Sequence, residues 1–245
     1  ARTSASCSSL NVTGSPAALD FARHAGIWFF LLPIVLTVSH RMIPFFSRRV
    51  LDNYVLIRPY WMRWLMLACI GAHGCLQSLE MSGYLWIVDF PLAGCAFYLS
   101  YRWGFLRSFR VSLLAVLHVS FAWLGVAMLL YAAQSLVYML SGSMLLGLAP
   151  LHALAIGYFA SMILAMASRV TLGHSGRPLE LDHITWILFL SFQAATVLRI
   201  LADIVPVIAP MLYVAAGLAW LGCFVFWAAK YAPIYWRQRV DGKPG

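Results

Sequence analysis

Charge is scarce in this sequence. Asp, Glu, Lys and Arg together make up 10% of its residues, where a soluble domain carries about 25%. Only 8 residues are acidic. Such a chain is not a water-soluble globular domain. The five cysteines are scattered and form no CxxC pair, so neither a disulfide framework nor a thiolate zinc site is indicated. GxSxG, P-loop, GxGxxG and HExxH strings are all missing, which removes the common hydrolase, nucleotide-binding and zinc-protease signatures. Acids within apolar stretches are too few for a typical ion-coupled transporter. No internal repeat and no soluble domain stand out.

What is abundant is apolar surface. Hydrophobic residues make up 62% of the chain. A membrane helix needs about 20 mainly apolar residues, and seven stretches qualify: 26–46, 61–79, 83–101, 111–132, 148–168, 183–203 and 210–230. The expected fold is all-α, a polytopic transmembrane bundle of about seven spanning helices in the lipid bilayer. Residues 1–25 form a polar lead-in, 26–231 the bundle and 232–245 a basic cytoplasmic tail. The second and third helices are expected to form a tight hairpin, because Glu80, Ser82 and Gly83 leave almost no loop between them.

The net charge of +9 would suggest nucleic acid in a soluble protein. In a membrane protein it marks cytoplasmic loops, which collect Lys and Arg. Basic residues fill the loops after the first, third, fifth and seventh stretches. The alternate loops, Glu80–Gly83, Ala133–Gly147 and Ile204–Ala209, have no Lys or Arg. The pattern places the N-terminus outside and the C-terminus in the cytoplasm, with no nucleic-acid partner. An outside N-terminus without a signal peptide suggests a missing N-terminal helical portion, or a partner chain that supplies it.

Ionisable groups within spanning helices are costly and point to function. At the cytoplasmic side lie His40 and Arg41, His118, Arg169, His174 and Arg177. At the outer side lie His73, Asp89, His152 and Arg199. Asp89 and Arg199 fall at similar depth and are expected to form a buried ion pair. Arg41 and Arg169 suit the anionic groups of a cofactor, since a guanidinium grips a carboxylate with two donors. Cys69 lies one turn before His73, and a thiolate with an imidazole suits Cu(I). Neutral imidazole also binds heme iron. Four of the histidines, His40, His73, His118 and His152, fall within or at the edge of spanning helices. The same residues also serve a plainer purpose, as polar contacts between packed helices.

Residues 150–179 combine most of these elements. The string Arg169-Val170-Thr171-Leu172-Gly173-His174-Ser175-Gly176-Arg177-Pro178, with His152-Ala153-Leu154 before it, resembles the C-terminal signature of the NnrS family. Arg41-Met42-Ile43-Pro44-Phe45-Phe46-Ser47 resembles a second family motif, and Leu117-His118 with Trp123 a third, weaker block. The resemblance implies a polytopic protein of the bacterial inner membrane. It also implies heme b and copper as cofactors, and a link to nitric oxide metabolism and nitrosative stress in denitrifying bacteria. This chain would be the C-terminal seven-helix portion. The family's Trp-His-x-His-Glu block has no counterpart here, and Ser39-His40 stands where many members have glycines.

His118 and His152 are the first expected ligands, with His40, His73 and His174 behind them, and nitric oxide is the implied small ligand. Two other functions fit the residues: a membrane quinone/heme oxidoreductase subunit, and a cofactor-free structural or assembly subunit. His152 and Arg169 lie about 25–30 Å apart at 1.5 Å per residue. Two sites are therefore expected, one at each face: His40, Arg41 and His118 under the Gly-His-Ser-Gly-Arg-Pro loop, and His73 with His152 opposite.

Overall fold

A computed structural model describes residues 16–242. Among these residues every regular element is helical. The first rod begins as α1 (Pro16–Ala25), widens into a π-helical segment (Gly26–Leu31) and continues as α2 (Leu32–Val50). Helix therefore reaches ten residues into the expected lead-in; residues 1–15 lie outside the described residues. Pro44 sits inside α2. It lacks the N–H that would bond the His40 carbonyl, yet the helix runs on for six more residues.

The hairpin follows as α3 (Tyr60–Ser78) and α4 (Trp86–Arg102). Its turn is closed by Glu80 at φ 57 and a single 3-10 turn (Ser82–Tyr84). After a short α5 (Phe105–Ser108) comes α6 (Ser112–Ser141), of 30 residues. At 1.5 Å per residue it is about 45 Å long, so it runs past the expected end at 132 and shortens the loop that follows.

The next rod has three parts: α7 (Ala149–His152), a π segment (Ala153–Ala160) and α8 (Ser161–His174). Then come α9 (His183–Ile204) and α10 (Ala209–Tyr231), with 3-10 turns at Pro206–Ile208 and Ala232–Trp236. Asp182 caps α9 by accepting from the Thr185 N–H at 3.1 Å. That bond satisfies one of the free donors of the first turn.

Helix α6 is the axis. It packs against α4 and against the π segment and α8, while α3 leans on α4 and α9 pairs with α10. Gly157 permits the closest approach: a Cβ there would lie 2.6 Å from the Trp123 ring. The core runs from Trp28 and Leu36 through Leu117 and Leu124 to Tyr158 and Phe192.

Among the described residues, five helical stretches are long and apolar enough to cross a membrane: Ala18–Val50, Ser112–Ser141, Ala149–His174, His183–Ile204 and Pro206–Trp236. The other two expected spans are α3 and α4. Arg63, His73 and Gln77 lower the hydropathy of α3, and α4 has 17 residues.

Neighbouring helices run antiparallel, which gives the bundle two ends of different chemistry. At one end, Ser47 meets His118, Arg169 lies on Phe46, and Ser168 bonds Trp227. We call this the arginine end. At the other, Trp28, His73, Asp89 and Tyr131 meet, and His152 meets Asp203. We call this the carboxylate end.

Candidate functional site

His40 lies on α2 facing the start of α3, and is 1% exposed. The carbonyl of Pro59, held in an extended conformation just before α3, accepts a hydrogen bond from its ring. The other nitrogen, Nε2, has no partner among the described residues. Trp103 packs edge-on to the ring at 5.5 Å and Tyr60 lies at 6.2 Å.

Beside this imidazole is a hollow of about 380 Å³ lined by Thr37, His40, Arg41, Arg58, Tyr60 and Arg63. The Nε atoms of Arg58 and Arg63 are also buried without partners. A backbone carbonyl that holds one imidazole nitrogen fixes the tautomer and leaves the other as a lone-pair donor. Three guanidiniums around it supply donors for carboxylate or phosphate. The site therefore fits a metal-centred group that carries anionic arms.

A second hollow at the arginine end, of about 490 Å³, is lined by Phe46, Arg49, Arg169, Gly173, His174 and neighbours. The buried Arg169 guanidinium lies 3.8 Å from the Phe46 ring centroid. His118 is near this region through Ser47, whose hydroxyl is 3.0 Å from its Nε2. That bond occupies the nitrogen a metal would use. The expected single inner site is thus divided. His40 and Arg41 join Arg58 and Arg63 in one hollow; Arg169 and His174 join Arg49 in another.

The Gly-His-Ser-Gly-Arg-Pro loop has a structural explanation of its own. Gly176 takes φ +71, Arg177 N–H bonds the Leu172 carbonyl at 3.1 Å, and Gly176 N–H bonds that of Gly173 at 3.4 Å. This is a Schellman closure of α8, with Pro178 just beyond it. The chain's tail seals it: Val240 N–H donates to the Ser175 carbonyl at 3.0 Å. A Cβ at Gly176 would lie 2.8 Å from the Asp241 carboxyl carbon. The Arg177 backbone ends the helix; its side chain lines neither hollow.

At the carboxylate end the histidines are held by acids. His73 Nδ1 lies 2.6 Å from Asp89 Oδ1, with both side chains fully buried. Trp28 stacks on the His73 ring at 3.5 Å, and Tyr131 meets it edge-on at 5.2 Å. His73 Nε2 and Asp89 Oδ2 have no partner among the described residues. His152 Nδ1 lies 2.5 Å from Asp203 Oδ2, and the Tyr213 hydroxyl donates to Asp203 Oδ1 at 3.0 Å.

The expected Asp89–Arg199 pair does not form. Asp89 is taken by His73, and the Arg199 guanidinium lies 4.2 Å over the Tyr213 ring. Nor do His73 and His152 share a partner. Cys69 is buried one turn before His73, but His152 is held elsewhere. Among the described residues no three of His, Cys, Asp and Glu gather as a metal cluster.

Sequence reasoning missed Asp203, at the end of the sixth stretch, and Arg58 and Arg63, around the start of the second. The Asp203 signal was available: it ends one helix at the depth where His152 begins another. It also missed the hydrogen bond between Ser39 and Tyr158, 3.1 Å.

The family model described as NnrS protein matches residues 4–239. No curated protein and no solved structure matches the chain.

Proposed function

The chain belongs to the NnrS family, and on that premise we propose that it is an integral membrane protein that binds heme b and copper. Its proposed role is in nitric oxide metabolism or protection from nitrosative stress. The observation that carries the heme assignment is His40: one ring nitrogen is held by Pro59, the other is buried without a partner, and it faces a hollow with three arginines.

In this reading His40 Nε2 would hold the heme iron. Arg41, Arg58 and Arg63 would pair with its carboxylates, as guanidiniums pair with carboxylates. Pro59 orients the imidazole, and Trp103 and Tyr60 limit water at its edge. Bound heme would supply a redox-active iron able to take nitric oxide. His118 moves from first ligand to a supporting role, because Ser47 holds its Nε2. For copper, the donors that stay together are Cys69 and His73, a soft thiolate and an imidazole one turn apart.

We also propose that α3 and α4 span the bilayer with the five longer helices, giving seven spans in a bacterial inner membrane. Helix α4 packs against α6, and α3 packs against α4 and the first rod. The gathering of arginines at one end supports a cytoplasmic C-terminus and an outside N-terminus.

The test is a reduced-minus-oxidised absorption spectrum with metal analysis of protein purified from membranes. Wild type and His118→Ala should carry a Soret band, and His40→Ala should lose it. A wild-type protein without heme overturns the assignment, as does a His40→Ala spectrum identical to wild type.

A further inference from the structure

A groove of about 580 Å³ lies away from His40, at the carboxylate end between α9 and α10. Trp220, Ala216 and Gly217 line it together with Tyr213, Arg199 and Asp203. The last three touch one another: the Arg199 guanidinium lies over the Tyr213 ring, and the Tyr213 hydroxyl bonds Asp203. Apolar sites with a few convergent polar groups are the usual form of small-molecule pockets.

The polar groups define the ligand. Asp203 is anchored from behind by His152 and from the side by Tyr213. Its carboxylate accepts hydrogen bonds and repels anions. Arg199 only donates; it rests on the Tyr213 ring and makes no ion pair among the described residues. A phosphate head group would suit Arg199 but meet the Asp203 charge. A cation would suit Asp203 but meet Arg199. A neutral head group that both donates and accepts satisfies both. The Trp220 indole suits a flat ring. Beside Gly217 and Trp220 on α10, the side chains of Leu218 and Leu221 are exposed, an apolar track for a lipid tail.

We propose that this groove binds the head group of a membrane quinol, a neutral dihydroxyaromatic ring on an apolar tail. One hydroxyl donates to Asp203, and an oxygen across the ring accepts from Arg199. His152 is a positioning residue that fixes the Asp203 carboxylate. The site uses none of the residues assigned to heme, so the two assignments stand or fall separately.

The full chain is placed in phosphatidylcholine nanodiscs without oxygen and titrated with decylubiquinol, with bound quinol measured after separation. Wild type should bind saturably. Asp203→Asn should weaken binding about tenfold or more, the range for losing a hydrogen bond to a charged group. Gly217→Leu keeps every polar group and fills the groove. A Cβ at Gly217 meets nothing within 4 Å, so the variant should fold and lose binding. Unsaturable partitioning into wild-type discs overturns the proposal, as does unchanged affinity in both variants. Displacement of the quinol by phosphatidylglycerol at equal concentration also overturns it, because the groove would then be taking an anionic head group.

Discussion

His73 and Asp89 meet 2.6 Å apart across the α3–α4 hairpin, and neither side chain is exposed. The turn between these helices is so short that the last turns of one must lie beside the first turns of the other. The pair therefore locks the hairpin that creates it. Asp89→Ala leaves a buried imidazole without its acceptor and should cost about 3 kcal/mol. A double-variant cycle should show coupling of about 1 kcal/mol or more between His73 and Asp89, and only about 0.5 kcal/mol or less between Asp89 and Arg199. Reversible unfolding in mixed micelles reads both, and strong Asp89–Arg199 coupling would contradict the arrangement.

Gly157 sits under the Trp123 ring, and a methyl group there would approach it to 2.6 Å. The Trp123 indole is fixed on its far side by an N–H donated to Gln193 at 2.7 Å. Little room exists for it to retreat. Gly157→Ala should therefore destabilise by about 1–3 kcal/mol, despite the better helix propensity of alanine. Adding Trp123→Leu should recover part of that loss in the same unfolding measurement.

Tyr158 is wholly buried and reaches Ser39 across the interior at 3.1 Å. Tyr158→Phe and Ser39→Ala should each cost about 1 kcal/mol. The double variant should cost little more than either alone, because both remove one bond. Full additivity would mean that the two hydroxyls bond elsewhere.

Asp182 provides a pH-dependent contact at the mouth of α9. Burial raises its pKa, but hydrogen bonds from Lys230 and Thr185 and the Lys230 charge outweigh this and lower it from 3.8 to about 2. A carboxyl whose folded pKa is depressed adds stability above its unfolded pKa. That contribution is lost as pH falls through about 2. Lys230→Met should remove this part of the acid dependence, so wild type and variant should differ in Tm at pH 5 and converge near pH 2. A constant Tm difference down to pH 2 would contradict the pairing.

The helices were legible because apolar runs of membrane length leave few alternatives. His183–Ile204 and Ala209–Tyr231 lie within a residue of the expected bounds. The π segments left no pattern, since their composition matches that of α-helix. The family string was legible too, but its meaning was divided. Gly176 and Pro178 end a helix, whereas Arg169 faces a hollow. Partner choice was least legible. Depth along the membrane placed Asp89 beside Arg199, but depth says nothing about rotation around the bundle. The hairpin had already delivered Asp89 to His73. The tautomer of His40 was invisible for a similar reason, because the carbonyl that sets it belongs to Pro59, nineteen residues further along the chain.

The two ends of the bundle answer differently to salt. Guanidiniums keep their charge across the working pH range, so the hollows around Arg58, Arg63 and Arg169 respond to anions and ionic strength. The His73–Asp89 pair is wholly buried and the His152–Asp203 pair largely so, and such pairs are poor targets for screening by salt. Salt is thus a handle on one face of the bundle and not on the other. An effect that follows chloride concentration at fixed pH reports from the arginine face.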